Sequence, residues 1–100
     1  MLKVKVEKEN KIIKKITFIG HTEYEDYGKD IVCAAASTML ITTVNAIFKI
    51  DCDAIKVEEN EEKIVTNIKQ DEITNKLLEN LYELLKELES QYKNNIKIYE

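Results

Sequence analysis

In the opening stretch LKVKVE, Leu2, Val4 and Val6 alternate with Lys3, Lys5 and Glu7. That period of two is what a strand needs to bury one face. KENK at 8–11 interrupts the pattern, and the β-branched run IIKKITFI follows at 12–19, ending at Gly20. Residues 2–19 therefore predict two strands, 2–7 and 12–19, joined by a turn at 8–11. Beyond Asp30 the texture changes. IVCAAASTMLITTVNAIFKI carries apolar side chains in nearly every direction, which predicts a central, largely buried helix from about 30 to 49. Its alanines would let it lie close against a sheet. Asp51 and Asp53 bracket a break, and AIKVEENEEKIVTNIK at 54–69 predicts a second hairpin turning around Asn60. In DEITNKLLENLYELLKELESQY, Ile73, Leu77, Leu81, Leu84 and Leu88 recur at helical spacing. Leu78, Leu85 and Tyr92 widen that stripe, and Asp71 is placed to cap the helix. NIKIYE adds a last short strand. The order β-β-α-β-β-α-β, with hairpins favouring antiparallel pairs, predicts an α+β fold: a mostly antiparallel sheet packed with two helices.

Composition narrows the picture. One hundred residues, 44% of them apolar, suit one domain spanning 1–100 with a single core. No apolar run is expected to reach the ~20 residues of a membrane span, and the alternating N-terminus does not read as a signal peptide. The expected compartment is the cytoplasm, with no membrane partner. Net charge is −4, from 15 basic and 19 acidic side chains. Every basic residue is a lysine; without arginine the chain lacks the planar fork that reads guanine, so no direct nucleic-acid partner is expected. The lysines are interleaved with acids, the pattern of a solvated surface. Cys33, Cys52 and one histidine, His21, do not have zinc-ligand spacing, so neither a metal nor a cofactor is expected.

One stretch carries the candidate chemistry. GHTEYEDYGKDIVCAAAS, residues 20–37, holds both glycines, the histidine and Cys33. With Asp30 as N-cap, Cys33 would be the third helical residue, where unpaired amides and the helix macrodipole favour an anion. Such a position, with an imidazolium nearby, lowers a thiol pKa from ~8.5 to ~3.5–7.5 and supplies a thiolate nucleophile. His21 could protonate a leaving amine at neutral pH. Gly20 and Gly28 stand near the ends of the connection, where unusual backbone angles and lid motion are accommodated. Asp30, Cys33 and Ser37 fall at i, i+3 and i+7, on one helical face, with backbone amides available for an oxyanion. Each feature also has a plainer reading. Cys33 is then a small core residue, His21 a turn residue, Asp30 only a cap and Ser37 a filler. Glu23, Glu25 and Asp26 become a solvated rim, and Cys52 is structural.

Taken together, GH, YGKD and IVCAAAS resemble the ribosomal-processing cysteine protease family, Prp, of Firmicutes and related bacteria. The likeness is strongest over residues 20–38, and the element order agrees across the chain. It implies a small α+β homodimer in which a His–Cys dyad removes the N-terminal extension of the twenty-seventh large-subunit ribosomal protein. His21 matches the catalytic histidine and Cys33 the nucleophile. Gly20, Asp30 and Ser37 match positions that surround the site and help hold substrate. Thr22 and Glu23 stand where the family commonly has small residues. The acids between His21 and Asp30 would attract the basic N-terminal tail of a ribosomal protein. The competing reading is a non-catalytic ribosome-biogenesis adaptor that holds such a tail without cutting it. The wide apolar face of the 73–92 helix offers a surface for a second copy.

Overall fold

The computed structural model describes residues 1–20, the backbone of 27–30, and residues 31–100 in full. β1 (Leu2–Glu9) and β2 (Ile12–Ile19) form the first hairpin. Leu2, Val4 and Val6 are buried as their alternation predicts. The turn is tighter than KENK suggests: only Asn10 and Lys11 lie outside the strands, with φ of 53° and 67°. Two consecutive positive φ angles are what a two-residue type I′ turn requires, because its twist matches that of the strands. A bulge between Glu7 and Lys8 absorbs the difference in register. The extra residue is Lys14 on β2, so Ile13 returns to the buried side with Ile16, while Lys8 keeps the inward parity of Val6 and lies over the ring of Tyr82.

The long helix α1 (Tyr27–Ile50) begins three residues before Asp30, so Asp30 is not its N-cap and Cys33 is its seventh residue. Gly28 reads as loop in sequence, yet here it is a helical residue; the propensity cost of about 1 kcal/mol is within what tertiary packing overrides. β3 (Ile55–Glu59), β4 (Lys63–Asn67), α2 (Glu72–Gln91) and β5 (Ile96–Tyr99) complete the chain. Asp71 caps α2 as expected: its backbone is extended, and its carboxylate accepts from the Thr74 amide at 2.8 Å. An ion pair of 2.9 Å between Lys69 and Asp51 ties the loop after β4 to the break after α1. That hydrogen bond is the main reason the Asp51 carboxyl is held below its ordinary range.

The five strands form one sheet in the order β3-β4-β2-β1-β5. All neighbours are antiparallel except β1 and β5. That parallel pair is possible because α2 carries the chain from β4 to the opposite edge, the kind of crossover a parallel neighbour needs. Both helices cover one face. Val4, Val6, Ile16, Phe18 and Val65 point into a core shared with Val32, Leu40, Leu78, Leu81 and Leu85. Complete burial of a leucine such as Leu81 contributes about 1.5–3 kcal/mol.

The expectation of a largely buried α1 needs correction. Its buried stripe is Val32, Ala36, Leu40, Val44 and Ile47, while Ile31 and Ile41 face outward. By length and composition Ile31–Ile50 is long and apolar enough to cross a membrane, against the sequence expectation. Yet β2 before it and β3 after it lie in the same sheet, and its stripe packs into that sheet's core. It is the core helix of an α+β domain.

Candidate active site

The site is built where β2 leaves the sheet. Gly20 has φ of +85°, and a Cβ placed on it would stand 2.9 Å from the Met1 carbonyl oxygen. Both facts demand glycine: L side chains disfavour that dihedral, and the N-terminal strand runs too close for any side chain. His21 follows immediately in sequence but lies outside the described residues, as do the side chain of Asp30 and the acids Glu23, Glu25 and Asp26.

Cys33 and Ser37 are both half-buried on α1. At 100° per residue, Cys33 sits at the margin of the buried arc of α1, next to Leu40 and Val44. Ser37 and Phe48 lie one step farther round. The thiol thus packs partly against the core and partly opens on a line of side chains running down the helix. Along that line is a groove of about 240 Å³ between α1 and the edge strand β3, walled by Leu40, Val44 and Phe48 on one side and by Val57 and Glu59 on the other. It begins seven residues past Cys33, about 10 Å at 1.5 Å per residue. An extended peptide with a carbonyl at Cys33 would reach it in about three residues. The rim is acidic. Lys63 pairs with Phe18 across β4 and β2, so the β3–β4 turn, with Glu58, Glu59, Glu61 and Glu62, stands at the same end of the sheet as Gly20.

The structure therefore brings Cys33 and Ser37 onto one surface line, with Gly20 as the backbone exit of the preceding strand. The groove itself was missed from sequence. The helical spacing of Cys33, Ser37, Leu40, Val44 and Phe48 was available to find its helix wall; Val57 reaches it only through sheet pairing. Cys52 is exposed at the far end of α1. Among the described residues no group of histidine, cysteine and acidic side chains could hold a metal ion.

Residues 1–97 match the family profile described as cysteine protease Prp. The chain belongs to the cysteine protease Prp family. It is accordingly an enzyme, a cysteine protease, rather than a peptide-holding adaptor. A curated relative, the ribosomal processing cysteine protease Prp of Staphylococcus aureus, is 29% identical over 83 residues, covering 79% of this chain and 78% of the relative. Among solved structures, Prp from S. aureus in complex with a substrate peptide superposes with a TM-score of 0.92 at 23% identity, over the whole of both chains. The same protease with a covalently linked product peptide gives 0.86 at 23% identity, covering 99% of this chain and 98% of that one. SMU.848 from Streptococcus mutans gives 0.87 at 21% identity, covering 99% and 92%. These structures establish the shared fold.

Proposed function

We propose that this protease removes the N-terminal extension of a large-subunit ribosomal protein, the twenty-seventh, in the cytoplasm during ribosome maturation. The Cys33 thiolate attacks the scissile carbonyl; with its own amide inside the helix hydrogen-bond ladder, donors to the oxyanion come from outside that turn. His21 carries the proton from the thiol to the leaving amine, and water then releases the acyl-enzyme. Gly20, Asp30 and Ser37 shape the ground on which the peptide lies. The observation that carries this reading is the half-buried Cys33 on the line of α1 side chains that leads to an apolar groove, with the acidic β3–β4 turn at the same end of the sheet as Gly20. A thiol must be open on one side to meet a carbonyl, and a basic tail is drawn to acids. The names of the staphylococcal relatives, a ribosomal processing protease and its substrate-peptide complex, support the substrate class. A homodimer would form through one flank of α2. There Ile73 and Leu84 are exposed beside the half-buried Leu77, next to the stripe that covers the sheet.

The test is to incubate the protein with the N-terminal peptide of that ribosomal protein and read product masses. One internal cleavage is expected. Cys33→Ala should abolish it while leaving the thermal unfolding midpoint nearly unchanged. Iodoacetamide at pH 6 should label Cys33 well before Cys52. Cleavage that survives Cys33→Ala would overturn the mechanism.

A further inference from the structure

Lysines that look evenly mixed with acids along the chain are sorted by the sheet. Strand side chains alternate between faces, so the partners of the buried residues in β1 and β5 all emerge on the side away from the helices. Lys3, Lys5 and Lys97 share that open face with Tyr99, and Lys15 joins them from β2. The register makes them neighbours: Lys3 stands beside Lys97, and Lys5 beside Tyr99 on one side and Thr17 on the other. None of the four lysines makes an ion pair with a described residue. Glu7 emerges on the same face opposite Lys15, so in a chain of net charge −4 the unbalanced positive charge gathers at Lys3, Lys5 and Lys97, beside the β1–β5 edge. Setting like charges opposite one another on adjacent strands is unfavourable, so folding alone gives no reason for the arrangement.

We propose that this open sheet face binds single-stranded RNA. A polyanion complements the lysines, and the exposed Tyr99 selects RNA from among polyanions. A tyrosine on a basic sheet offers a base something to stack on, the combination used by single-strand-binding surfaces. Lys97 already stands 5.9 Å from the centroid of that ring. Lysine is a point charge rather than a bidentate fork, so this surface neutralises the RNA backbone and does not read sequence. The face lies across the sheet from α1, and bound RNA would leave the Cys33 groove open. Its use rests on the proposed function: it would hold the protease on the RNA of the particle whose protein it trims.

The experiment is fluorescence anisotropy of a labelled, short, mixed-sequence single-stranded RNA titrated with the full chain. Four phosphate contacts predict a slope of log K against log salt of about −3, a loss of roughly 50-fold between 50 and 200 mM salt. Lys5→Glu with Lys97→Glu should weaken binding by at least about tenfold and flatten that slope by roughly half. Tyr99→Ala should weaken binding by about fivefold or more at unchanged slope, and Tyr99→Phe should restore it. Cleavage of the isolated ribosomal peptide should be unchanged in all three, which separates this surface from the catalytic reading. The proposal is overturned if the double reversal leaves affinity and slope as they were. It is equally overturned if phosphatidylserine vesicles or polyglutamate bind this face more tightly than the RNA.

Discussion

Gly20→Ala tests the local geometry on which the site depends. Two costs add. A residue with a Cβ held at φ of +85° loses about 1–2 kcal/mol relative to glycine. The new methyl would also stand 2.9 Å from the Met1 carbonyl oxygen, closer than ordinary van der Waals contact allows. That carbonyl cannot simply swing away: the next amide, of Leu2, donates to the Asn95 carbonyl at 2.9 Å, and Leu2 begins the pairing with Ile96. Relief therefore strains the β1–β5 edge, at about another 1–2 kcal/mol. The sum, about 2–4 kcal/mol, corresponds to a fall in melting temperature of roughly 10–25 °C for a domain of this size. Urea unfolding at constant m-value, with a parallel thermal melt, measures it. Gly20→Asn separates the two costs, because asparagine tolerates positive φ but carries the same Cβ; it should fall between glycine and alanine. A loss under about 0.5 kcal/mol for alanine, the range of a neutral surface change, would refute the reasoning.

Asp71→Ala removes the acceptor of the Thr74 amide at the start of α2 and should cost about 1 kcal/mol by urea unfolding, with Asp71→Asn recovering most of it. Tyr82 donates a hydrogen bond to Glu100, which together with burial and the neighbouring acids raises its pKa to about 12. Its folded-state value lies above the unfolded 10.0. Its contribution to stability is therefore complete below pH 10 and lost as the pH rises through 12. Tyrosinate absorbance should show one late-ionising tyrosine, and Tyr82→Phe should remove both that step and its share of the alkaline loss. Phe48→Ala, at the far end of the α1 groove, should raise KM for the tail peptide several-fold with little change in kcat, since Phe48 would bind substrate without touching the scissile bond.

The elements were legible because each has a period of its own: two in LKVKVE and IKVEE, and helical in the leucines from Ile73 to Leu88. What stayed hidden depends on contacts distant in sequence or on angles that residue type does not fix. The turn at Asn10 and Lys11 contains no glycine to announce its positive φ. The parallel pairing of β1 with β5 joins the two ends of the chain, and no local pattern encodes it. The lysine face was hidden by the same alternation that revealed the strand, because residues interleaved in sequence are segregated in a sheet. At the site, the scarcity of glycine, histidine and cysteine and the motif GH to IVCAAAS marked Gly20, His21 and Cys33. The role of Gly20 is visible only through the Met1 carbonyl that crowds it.

The position of Cys33 also constrains how a thiolate could arise there. Read as the third residue of a helix starting after Asp30, it would lie among unpaired amides. As the seventh residue of a helix starting at Tyr27, it has two turns before it, and its amide belongs to the hydrogen-bonded interior. The field of a helix end falls off within the first turn, so the macrodipole is a weak source of activation at this depth. For Cys33 to be the nucleophile of a family member at neutral pH, the missing stabilisation must come from a cation or donors outside the helix. The only histidine in the chain stands one residue past Gly20. Gly20, held at φ of +85° beside the Met1 carbonyl, fixes where the chain leaves the sheet just before that residue.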